Sequence, residues 1–200
     1  MKSLFCKTLY ALTIALVIVG LFTLGAGVAS AQDVYKLNYF ANNTQLPGGA
    51  VPPDETVRIS NPGLTYGNLC AMIYVFDNDQ QLTECCGCVE THNGLRTLSV
   101  KRDLTSNPLT GVRSNNGVIK IISAAVNNSP CDATSNVRPI RNLRAWGTHT
   151  QNFIGTWPIT ETEFSDSTLG ATELANLQAQ CAFLNILGSG HGICTCGTGD

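Results

Sequence analysis

The run Cys85-Cys86-Gly87-Cys88 packs three cysteines into four positions, and Cys194-Thr195-Cys196 adds two more near the end of the chain. What these sulfurs do depends on the compartment, since an oxidising one joins thiols in pairs and a reducing one leaves them free for metal binding or catalysis. Two adjacent cysteines crowd each other as ligands of one ion. They are better placed to bridge to different partners, which turns a strand end into a covalent knot.

The N-terminus answers the compartment question. Lys2 and Lys7 form a short positive region, Leu9 to Val28 is almost wholly apolar, and Ala29-Ser30-Ala31 supplies the small residues that a signal peptidase requires. A membrane span is the rival reading, because twenty helical residues cover about 30 Å. Gly20, Gly25 and Gly27 late in the run, followed directly by the small-residue site, favour cleavage after Ala31. The expected product is secreted or periplasmic/extracellular, with residues 1–31 removed as a signal peptide and no permanent membrane span. Cys6 leaves with the signal. The eight that remain, Cys70, Cys85, Cys86, Cys88, Cys131, Cys181, Cys194 and Cys196, form an even set that fits four disulfides, although spacing alone does not choose among the 105 pairings of eight cysteines.

Residues 32–200 number 169, enough for one domain with a substantial core, so the disulfides brace a fold that has other means of support. Without Lys2 and Lys7, ten basic residues face fourteen acidic ones. That acidic balance excludes nucleic acid as a partner class, since nucleic-acid binding requires a concentrated positive field. Arg138, Arg141 and Arg144 recur every three residues and read as a solvated rim, with contact to an anion as the minor alternative.

Hydrophobic periodicity points to short strands. Val57 and Ile59 alternate with Arg58 and Ser60, and Leu98 and Val100 alternate with Thr97 and Ser99, the period of a sheet with one wet face. Leu69 to Phe76 is apolar on both faces, as expected of a central strand covered by a second sheet and by the C-terminal helix. Asp77-Asn78-Asp79 ends it, and the chain returns towards Val89 as a hairpin. If residues 78–80 form a three-residue connection, Cys70 falls opposite Cys88, and a two- or four-residue connection moves the facing position by one, so a bond from Cys70 to the cluster is inexpensive. Asn115-Asn116-Gly117 marks a turn before Val118 to Ile122. In the strand after Arg144, Trp146 is the residue expected to pack. The lead-in after Gln32 is expected to cross the domain or form an edge strand, and the acidic stretch Pro158 to Gly170 to run over the surface.

The C-terminal part changes period. Leu174, Leu177, Cys181, Leu184 and Leu187 follow a three-and-four spacing, which predicts a helix over 171–187 with one buried stripe, ended by Gly188 and Gly190. Gly170 stands where a capping Ser or Thr would otherwise be. The fold class expected is mainly β: an antiparallel β-sandwich-like domain over 32–200 with one packed C-terminal helix.

The chemical constellations give no specific activity. A zinc site would draw on Cys85, Cys88, His191, Cys194 and Cys196, but an exported thiolate must escape oxidation, so disulfides are the expected chemistry and no cofactor is implied. The Cys85-x-x-Cys88 unit lies at a strand end rather than at the helix N-terminus typical of a redox centre. His92, His149 and His191 are the three histidines, and the chain contains neither a G-x-S-x-G elbow nor an H-E-x-x-H helix. Asp77 and Asp79 read as turn residues. Asn42-Asn43-Thr44 and Asn127-Asn128-Ser129 match the glycosylation sequon and mark exposed loops. Tyr74 and Trp146 are expected in the core, while Phe153 and Trp157 could belong to a sugar-stacking surface. The function expected is a non-catalytic structural or interaction role, with a surface or envelope protein or a glycan as partner. The alternatives are a carbohydrate- or protein-binding module and a secreted hydrolase.

Overall fold

The computed structural model describes residues 34–41, 52–64, 67–105, 114–126, 131–135, 138–151, 153, 156–186 and 194–197. All belong to the unit Asp33–Asp200. The expected signal segment, both sequons, His191 and the glycines at 188 and 190 lie outside the described residues.

Among the described residues, nine strands form two antiparallel sheets. The first sheet runs β4-β3-β6-β1-β9 and the second β5-β2-β7-β8. The strands are β1 (Val34–Ala41), β2 (Thr56–Ser60), β3 (Leu69–Asp77), β4 (Leu82–Glu90), β5 (Leu95–Ser99), β6 (Asn116–Ala125), β7 (Arg144–Thr150), β8 (Ile159–Glu163) and β9 (Ser165–Thr168). A π-helical turn, Val100–Leu104, follows β5, and helix α1 spans Ala171–Leu184.

Side-chain alternation divides the core in two. Ile73, Val75, Ile119 and Ile121 of the first sheet pack against Val57, Ile59, Leu98 and Ala145 of the second. The other faces of β3 and β6, through Met72, Tyr74, Ile122 and Ala124, pack under Leu169, Leu177 and Cys181. Strand β3 is therefore buried on both sides, which explains its unbroken apolar sequence. Each large aliphatic side chain so buried contributes about 1.5–3 kcal/mol.

The hairpin β3–β4 agrees with the sequence expectation, as does the helix from Ala171 to Leu184, the expected end at Leu187 lying outside the described residues; other details differ. A register shift between Val75 and Phe76 sets Cys70 opposite Val89, so the expected facing of Cys70 and Cys88 is displaced by one residue. In β7 the buried positions are Ala145, Gly147, His149 and Thr150, while Trp146 lies half-buried on the outer face with the Arg144 guanidinium above its ring. The lead-in forms β1, which is not an edge, because the acidic stretch supplies β9 beyond it, while β8 ends the other sheet. The chain steps from one sheet to the other at Phe164, which is buried and donates its N–H to Ala145 O. Glu161, Glu163, Asp166 and Glu173 face solvent, and each also meets a basic partner: Arg58, Arg144, Lys36 and Lys120.

Candidate functional site

Strand β4 is the centre of the cysteine chemistry. Successive side chains of a strand leave on opposite faces, so Cys85 points towards α1 while Cys86 and Cys88 point between the sheets. The bridges follow from this: Cys85–Cys181 fastens the helix, and Cys86–Cys194 and Cys88–Cys196 fasten the C-terminal tail. Cys70, on the helix-side face of β3, bridges to Cys131. Gly87 completes the pattern, since a Cβ there would lie 2.4 Å from Cys131 O and the loop backbone presses directly on the strand.

The sulfurs of Cys86, Cys88 and Cys196 lie within 4.8 Å of one another, the spacing at which free thiolates hold an ion. All three are already in disulfides, which lack the thiolate charge that zinc requires. The metal reading of Cys85, Cys88, Cys194 and Cys196 is accordingly replaced by four covalent ties, and His191 falls outside the described residues.

Two buried carboxylates hold the tail, Asp103 directly through Thr195 and Glu90 through Arg96. Asp103 accepts hydrogen bonds from the Ser99 N–H at 2.7 Å, from the Arg102 guanidinium and from the Thr195 hydroxyl, while its own carbonyl accepts the Thr195 N–H at 2.9 Å. Burial alone would raise the Asp103 pKa, but the hydrogen bonds from Arg102 and Ser99 outweigh it and hold the carboxyl below its usual range. Arg96 donates to Glu90 at 2.7 Å, to Val89 O and to Cys196 O. Burial raises the Glu90 pKa and Arg96 offsets part of that rise. A cavity of about 430 Å³ beside these groups is lined by Glu90, Arg96, Arg102 and Cys196, whose polar atoms are largely engaged in this clamp.

A second polar cluster lies near the opposite edge. Glu55 accepts the N–H groups of Ala41 and Thr150, both at 3.0 Å, and stands 3.9 Å from His149 Nδ1. His149 Nε2 is 2.9 Å from Thr162 Oγ1, which also accepts from Asn38 Nδ2. The order of carboxylate, imidazole and hydroxyl matches a hydrolytic relay, but the ring is 3% exposed and Tyr39 stacks flat on it at 4.2 Å. A substrate reaches the imidazole only if Tyr39 moves. Sequence reasoning identified His149 and missed Glu55, because nothing in Pro52-Pro53-Asp54-Glu55 marks a carboxylate that closes two strand ends.

The remaining candidates separate cleanly. His92 pairs with the Asn93 side chain at 3.0 Å. Asp77 Oδ1 accepts the N–H groups of Asp79 and Gln81, an ordinary Asx turn. Tyr74 is fully buried and donates to Ala133 O at 2.8 Å, whereas Phe153 is 65% exposed and Trp157 half-buried. Arg138, Arg141 and Arg144 are exposed, as expected of a rim.

Among the described residues these features define a class: an antiparallel two-sheet sandwich with one α-helix on its outer face and four disulfides, three of them rooted on a single strand. Comparison of the chain with protein families, curated proteins and solved structures gives no match in any of the three.

Proposed function

We propose that this chain is an exported, non-catalytic structural or interaction protein whose sandwich is braced for an oxidising exterior. The observation that carries the reading is the pairing of all eight cysteines beyond residue 31, which ties helix, loop and tail to β3 and β4. Disulfides of this density persist outside the reducing cytoplasm. The absence, among the described residues, of a helix long and apolar enough to cross a membrane is compatible with it. The acid–imidazole–hydroxyl cluster supports the non-catalytic side, because its base is covered and its carboxylate is engaged by two backbone N–H groups.

One observation favours a second reading, a carbohydrate- or protein-binding module. Strand β8 ends its sheet with all five residues exposed, Ile159 among them, and exposed Phe153 lies on the connection that leads into it. Expression of the full chain with its own leader tests the main reading. The intact mass of the exported product is expected to correspond to a chain beginning at Gln32. Retention of residues 1–31 in a cell-associated product would contradict export and cleavage.

A further inference from the structure

The inward face of β1 is unlike that of its neighbours. Lys36 and Ile121 are register partners, so Lys36 projects between the sheets where β6 presents isoleucines. An inward charge often protects an edge strand from aggregation, but β1 is paired on both sides and has no edge to protect. The Lys36 side chain is 15% exposed, and its ammonium meets Asp166, itself 59% exposed. One turn of the alternation further along β6, Ser123 is 5% exposed and its hydroxyl has no hydrogen-bond partner. The pairing of β1 with β6 runs to Tyr35 opposite Ile122, and at Ser123 the segment at 138–140 joins the strand, with Ile140 N–H donating to Ser123 O. Beside this change of neighbour lies a cavity of about 270 Å³, lined among the described residues by Lys36, Ser123, Ile140, Arg141, Asn142, Leu143 and Asp166.

We propose that this cavity binds a small hydroxylated carboxylate, of the size and chemistry of a single sugar acid. Two cations against one carboxylate leave an excess positive charge. A lysine ammonium has three donors, and Asp166 accepts at one of them. Arg141 at the rim is suited to a carboxylate through its planar pair of N–H groups. The Ser123 hydroxyl serves a ligand hydroxyl, which would satisfy the buried group that the protein leaves unpaired. Ile140 and Leu143 supply the apolar wall usual in such sites, and the volume lies just below that of pockets for drug-sized ligands.

The test is titration of the disulfide-bonded protein with galacturonate, glucose and inorganic phosphate, followed by amide NMR shifts and calorimetry. Galacturonate is expected to bind saturably with shifts at Ser123 and Asn142, at least tenfold more weakly in Lys36→Met and about threefold more weakly in Ser123→Ala, with no saturable binding of glucose. Arg141→Gln, at an exposed position, keeps the test decisive if Lys36→Met fails to fold, and it is expected to weaken binding about fivefold. The proposal is overturned by absence of saturable galacturonate binding, by equal binding of glucose, by binding of phosphate alone, or by affinities that the folded variants leave unchanged.

Discussion

Cys85 and Cys86 are neighbours in the chain, yet they leave β4 on opposite faces, the first bridged to Cys181 beneath the helix and the second to Cys194 in the tail. The peptide unit between them thus joins the outer layer to the space between the sheets. With Cys88–Cys196 two residues further on, the tail is sewn across the side of the sandwich where β4 and β5 end their sheets.

The two tail bridges are redundant with each other. Because Cys85–Cys181 already joins the distant segments, the loop that Cys86–Cys194 closes spans about 14 residues through that bridge, worth about 3 kcal/mol in the chain-entropy model. Replacing either tail pair by serines leaves the other holding the tail, so each double variant is expected to lose about 1–2 kcal/mol, and the quadruple variant about 3–5 kcal/mol. Urea denaturation of the three proteins measures this.

Gly87→Ala places a methyl group against the backbone of Cys131, at 2.4 Å from its carbonyl oxygen. Backbone cannot yield as a flexible side chain does, so the strand or the loop must move. A loss of about 3 kcal/mol is expected, at the upper end for overpacking. The Cys70–Cys131 bridge should also become easier to reduce than the other three, as followed by peptide mapping after limited reduction.

Burial, and secondarily the nearby Asp132 charge, push the Tyr74 hydroxyl well above its ordinary value. A raised folded-state pKa contributes stability that is complete below the unfolded value near 10 and is lost as pH rises above it. Tyr74 should therefore stay protonated where exposed phenols ionise, and alkaline denaturation should release it. Tyr74→Phe strands Ala133 O without its donor and should cost about 1–2 kcal/mol near pH 7. Ultraviolet titration and urea melts at pH 7 and 11 test both expectations.

Asp103 has the opposite sign. Its depressed carboxyl contributes stability that is present above the unfolded carboxylate range and lost as pH falls through the folded value. Asp103→Asn should cost about 2 kcal/mol at pH 7, since hydrogen bonds to a charged group are lost or weakened. The gap between wild type and variant should close as the pH is taken below the usual carboxylate range.

Much of this architecture is legible in the sequence because burial leaves a local trace. The two-faced apolar run at Leu69 to Phe76, the alternation at Val57 and Ile59, and the stripe Leu174, Leu177 and Cys181 each report their surroundings directly. What escaped depends on contacts between distant segments. The register shift at Val75 moves Cys70 off Cys88 and frees it for Cys131. Strands β8 and β9 carry Thr, Ser, Glu and Asp because they end their sheets and are largely exposed, so no apolar period announces them. The partnership of Lys36 with Asp166 and the unpaired Ser123 depend on which strand lies beside β6 at its last residues.

Peptide mapping of the exported protein under non-reducing, thiol-blocked conditions tests the central claim most directly. The account predicts four cross-linked pairs, Cys70 with Cys131, Cys85 with Cys181, Cys86 with Cys194 and Cys88 with Cys196, and no alkylated cysteine. Free thiols at Cys86, Cys88, Cys194 or Cys196, or a bridge from Cys85 to the tail, would contradict it.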